Sequence, residues 1–76
     1  MERSRPPVSV PDAKALGDAI RTRRKAAGLT QGELADAAGT SLRFVSEVER
    51  GKPTARLQGV LSLLAELGLE LHVKPR

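Results

Sequence analysis

Cysteine, tryptophan and tyrosine are absent from this chain, and phenylalanine and histidine each occur once. The lack of cysteine excludes disulfides and thiolate metal sites as sources of stability, and it suits a reducing cytoplasm. With a single histidine, no GxxxxGK phosphate loop and no metal-ligand spacing, no catalytic constellation can be assembled. Neither an enzyme nor a cofactor is expected. The scarcity of aromatics leaves leucine, alanine and valine to build the core. Long apolar runs are missing too: residues 60–69 are interrupted by Ser62, Glu66 and Gly68, far short of the roughly 20 residues that span a bilayer. No membrane partner is expected.

Basic charge, by contrast, is plentiful. Thirteen Lys and Arg face nine Asp and Glu, for a net charge of +4, which in so small a domain favours polyanionic partners over a merely soluble basic surface. Seven of the thirteen lie in the first 25 positions, four more lie between Arg43 and Arg56, and residues 26–42 hold none. Residues 1–7 are basic and proline-rich with no apolar stretch after them, so residues 1–11 read as a flexible arm rather than a signal peptide. A chain of 76 residues buries only about 60% of its unfolded surface. A second subunit would therefore help, and a homodimer is expected.

The remaining pattern is helical over residues 12–68. Asp12 is a good N-cap, Leu16 and Ile20 lie one turn apart, and Arg21, Arg23, Arg24 and Lys25 load the last turn before Gly28 stops the helix. Thr30 and Glu33 form a capping box opening a short second helix that carries Leu34, Ala35 and Ala38 and ends at Gly39. Ser41 caps a third helix with Val45 and Val48 on one face, terminated by Gly51 and Pro53. Thr54 is expected to cap a fourth, whose Leu57, Val60, Leu61, Leu64 and Leu67 make an apolar stripe up to Gly68. Beyond it the period becomes two, with Leu69, Leu71 and Val73 on one side and Glu70, His72 and Lys74 on the other, which predicts one short strand over residues 69–76. The expected fold is all-α, about four helices with this one terminal strand.

Short helix, glycine turn and short helix between Gln31 and Arg50 is the layout of a helix-turn-helix, whose second helix has a face free to enter a major groove. LTQGELA, GTS and VERGKPT together make a plain helical hairpin a poor alternative. With these motifs, residues 16–67 resemble the Cro/repressor-type (Xre) helix-turn-helix family, and LGLEL near the end resembles the HipB antitoxins. The resemblance implies that Gln31 binds a phosphate and that Leu42, Arg43, Ser46 and Glu47 read bases. It also implies a structural pair between Arg24 of the first helix and Glu49 of the third. HipB relatives repress their own operon and pair with a HipA-type kinase toxin, so both become expected properties and partners.

Chemistry at the individual residues is compatible with those roles. Arg43 and Glu47 are four apart on one helix face, where Arg43 is able to fork onto guanine and Glu47 to orient it or accept from cytosine; a solvated ion pair is the bland alternative. Leu42 could meet a thymine methyl. Ser41 and Gln31 sit where helix amides favour anions, while Arg50, Lys52 and Arg56 flank the recognition helix as phosphate clamps. Phe44 either touches the DNA backbone or covers the core edge. His72 is an interface or surface residue. Leu69, Leu71 and Val73 are expected to pair with the same strand of a second subunit, a disordered tail being the alternative. A repressor without a toxin, or a protein-interaction adaptor, are the rival functions.

Overall fold

A computed structural model describes residues 8–76. The first seven residues of the expected basic arm, with Arg3 and Arg5, lie outside the described ones. Four helices follow in order: α1 (Ala13–Ala26), α2 (Gln31–Ala38), α3 (Leu42–Glu49) and α4 (Leu57–Glu66).

Each of the first three starts where a side chain can accept from an otherwise unpaired amide. Asp12 accepts from Ala15 N–H at 2.8 Å, and Ser41 from Phe44 N–H at 3.0 Å. Thr30 and Glu33 close a reciprocal box at 3.0 and 2.8 Å. The three helices end alike too, by a pair of backbone bonds closing over a glycine with positive φ. Between α2 and α3 this is Gly39 at φ 71°, with Thr40 N–H donating to Ala35 O at 2.9 Å. The αL conformation turns the chain within three residues, so α2 and α3 meet directly.

Ile20, Leu34, Ala35, Val45, Val48, Val60, Leu63, Leu64 and Leu67 form one core contributed by all four helices. At about 2 kcal/mol for each large buried side chain, this cluster is the main source of stability. Gly17 makes its tightest contact possible: a β-carbon there would overlap Val48 O and stand 2.9 Å from Glu49 O. The backbone of α1 therefore lies directly against the end of α3, with Gly17, Ile20 and Arg24 as its buried face.

Three details differ from the expectations. Thr54 does not cap α4; Arg56 holds that position without a side-chain bond, and helical bonding starts with Val60 N–H to Arg56 O at 3.1 Å. The turn begun at Gly51 and Pro53 is still running at Thr54. The α4 stripe is buried as expected at Val60, Leu64 and Leu67, but its buried face is shifted to take in Leu63, which is completely buried, and to leave out Leu57, which is 64% exposed. Finally, no strand occurs among the described residues, and residues 69–76 run on as an irregular segment. A strand needs a ladder partner, and the described residues offer none.

Candidate nucleic-acid interface

One buried ionic cluster ties the start of α2 to the end of α3. Two turns beyond Gly17, Arg24 projects from the same side of α1 and meets Glu49 through two parallel bonds, Nε to Oε2 at 2.6 Å and Nη2 to Oε1 at 3.0 Å. Its Nη1 donates to Leu29 O at 2.8 Å, and Gln31 Nε2 donates to Glu49 Oε1 at 3.0 Å. α1, the turn after it, the first residue of α2 and the last residue of α3 are thus tied together. No buried side-chain nitrogen or oxygen among the described residues lacks a partner. Burial opposes the charge on Glu49, but bonds from Arg24 and Gln31 outweigh it and hold the carboxyl below its ordinary range. The bond to Glu49 outweighs burial at Arg24 and raises its pKa.

Ahead of this cluster, α2 and α3 present their N-terminal turns. The first backbone bond of α3 runs from Val45 N–H to Ser41 O, so the amides of Leu42 and Arg43 precede the helical ladder, where the dipole favours anions. Ser41, Leu42 and Arg43 are exposed, the Arg43 side chain to 87%; Gln31, Ser46 and Glu47 are half-buried. Arg50, Lys52 and Arg56 follow as exposed cations.

Within this face Glu47 holds Arg43 Nε at 3.3 Å and Lys52 Nζ at 3.2 Å. The bond from Lys52, with a smaller one from Arg43, keeps its carboxyl below the ordinary range against partial desolvation. Glu47 also lines a surface notch of about 390 Å³ with Arg50, Gly51, Lys52 and Pro53.

Phe44 takes another direction. Its ring is half-buried and lies on Gly59 of α4, where any β-carbon would collide with it. Leu69, Leu71 and Val73 sit apart from the helix starts: Leu69 packs on the core, while Leu71 and Val73 are exposed. His72 contacts Glu70 at 3.2 Å. Two glycines, and the long-range contact of Arg23, were not singled out from the sequence. Gly17 and Gly59 stand at the two closest helix contacts, and Arg23 donates from Nε to Leu67 O at 2.9 Å. The packing of a helical glycine against another helix, on the Val48 and Glu49 carbonyls at Gly17 and on the Phe44 ring at Gly59, leaves no mark in either segment alone. No group of metal-ligating side chains occurs among the described residues, and no helix there is long and apolar enough to cross a membrane.

Helix starts carrying polar and basic side chains, backed by a rigid pair of short helices, define a helix-turn-helix domain. Residues 15–74 match the family described as a helix-turn-helix domain, and the chain belongs to it, as a DNA-binding transcriptional regulator. An uncharacterised HTH-type transcriptional regulator, y4mF of Sinorhizobium fredii, is 43% identical over 58 residues, 76% of each chain. Among solved structures, the restriction-modification controller protein C.AhdI from Aeromonas hydrophila has a TM-score of 0.70 at 36% identity, covering 78% of this chain and 86% of that one. HipB in its O4 20mer complex has a TM-score of 0.82 at 24% identity, covering 90% and 96%, and so does the protein in the HipA-HipB-O2-O3 complex. The HipB likeness is one of fold.

Proposed function

We propose that the chain is a dimeric, operator-binding repressor of the HipB antitoxin type, acting on double-stranded DNA in the cytoplasm and neutralising a HipA-like kinase toxin. The observation that carries the DNA-binding part is the α2–α3 pair tied by the Arg24, Glu49 and Gln31 cluster, with Ser41, Leu42 and Arg43 exposed at the start of α3. In this reading Leu42, Arg43, Ser46 and Glu47 read base edges, while Gln31, Ser41, Arg50, Lys52 and Arg56 engage phosphates. The half-buried Gln31 amide has a second hydrogen to offer beyond its bond to Glu49. Two copies joined through Leu69, Leu71 and Val73 as antiparallel strands place their recognition helices in successive major grooves, about 34 Å apart. Exposed Leu57, Leu71 and Val73 supply the apolar surface that such a dimer covers. Support for the antitoxin role is the extent of the HipB likeness, which spans nearly the whole chain.

The experiment is a mobility shift on duplexes selected from a random pool, with a co-purification test of any kinase-like protein encoded in the adjacent reading frame. Arg43→Ala is expected to relax base preference at one position per half-site, and Lys52→Ala to weaken all duplexes alike. Failure to retain any duplex would sink the DNA-binding reading. The likeness to a controller protein at 36% identity favours a second reading, a regulator with no toxin, which holds if no neighbouring kinase-like protein is bound.

A further inference from the structure

Glu47 is an acid placed in the middle of a surface otherwise equipped for phosphates, and resting on the DNA-binding reading above, its contacts give it a distinct task. We propose that the Glu47 carboxylate stands in for a DNA phosphate in the free protein, occupying Arg43 and Lys52 so that non-cognate duplex binds weakly and sequence discrimination rises. Arg43 comes from four residues before it on the same helix and Lys52 from the turn after α3, at 3.3 and 3.2 Å. One carboxylate therefore bridges the residue placed to read bases and the residue placed to clamp the backbone. Arg43 is 87% exposed and Lys52 45%, so neither is needed to hold the core. Glu47 itself is only 21% exposed, fixed on the notch wall beside Arg50.

Any duplex approaching this face meets a negative charge and must exchange two carboxylate contacts for phosphate or base contacts. On a non-cognate sequence the displaced carboxylate gains nothing and repels the backbone. On a cognate one, a base-edge donor such as the cytosine amino group accepts the role the cations gave up. Discrimination then comes from a penalty relieved only at the correct site, which separates affinities without requiring tighter binding to the operator.

The test uses the full chain and compares wild type, Glu47→Gln and a charge-matched control, Glu66→Gln at the end of α4. Affinity is measured for a selected duplex and a scrambled one between about 50 and 200 mM salt. Expected for Glu47→Gln is tighter binding to the scrambled duplex. Its slope of log K against log salt should steepen by about 0.9 for each cation released to a phosphate. The ratio of selected to scrambled affinity should fall. Equal shifts for Glu47→Gln and Glu66→Gln would overturn the proposal in favour of net charge alone, as would equal tightening on both duplexes. Weaker binding of Glu47→Gln to the scrambled duplex would overturn it as well. If wild type retained neither duplex, the DNA-binding reading would fall first and this inference with it.

Discussion

Arg24 and Glu49 are the buried ion pair that ties α1 to the end of α3. Removing one member of a buried ion pair leaves the other desolvated and unpaired, at about 3 to 5 kcal/mol, a large fraction of the stability of so small a domain. Arg24→Met and Glu49→Gln should each lower the melting temperature sharply. The double variant should be less destabilised than the sum, which a double-mutant cycle by denaturant unfolding reads directly. The same pair predicts an acid limb. Because the folded-state pKa of Glu49 is depressed from about 4.5, its contribution is fully present above that value and is lost as pH falls through the lower folded value. Wild type and Glu49→Gln should therefore differ most near neutrality and converge in acid; parallel curves down to acid unfolding would contradict the assignment. The pairing of Arg24 with Glu49 was legible only through the family likeness. Gln31 as their third partner was not, because its side chain turns inward once α2 docks.

At the scale of elements, the ends of the helices carry the design. Thr30→Ala removes half of the capping box and should cost about 1 kcal/mol, visible as earlier urea unfolding with an unchanged slope. Gly28 and Gly51 separate two effects that are usually mixed. Both have positive φ, 76° and 89°, but a β-carbon at Gly28 meets nothing within 4 Å, whereas at Gly51 it would stand 2.9 Å from Lys14 Cα. Gly28→Ala should cost the left-handed strain alone, about 1 to 2 kcal/mol, and Gly51→Ala distinctly more. Equal losses would mean that α1 yields at Lys14. Caps and terminators were readable from sequence because they act within four residues. The register of α4 was not: leucines at positions 57, 61, 63, 64 and 67 satisfy more than one helical stripe, and only docking on α2 and α3 selects the one that buries Leu63.

For the whole molecule, the open question is what covers the apolar side chains left outside. Leu57, Leu71 and Val73 are exposed, and residues 69–76 have no ladder partner among the described residues. Deleting residues 69–76 should convert the proposed dimer to a monomer or a much weaker dimer in sedimentation. Operator affinity should drop with it, since one half-site supplies too few contacts. An unchanged dimer would place the interface elsewhere.

Local chemistry set much of this protein before any folding. Cap residues, glycine terminators and short apolar periods specified the first three helices and the turn between α2 and α3, because each acts over a few bonds. The family likeness reached further, to the Arg24–Glu49 pair and to the residues proposed to face DNA. What only the tertiary structure decided are the relations between distant segments. The approach of α1 through Gly17, the seating of Phe44 on Gly59, the rotation of α4 and the inward turn of Gln31 all depend on which surfaces meet. Such contacts arise from excluded volume and charge between elements far apart in the chain, and no window of sequence contains both halves of the interaction.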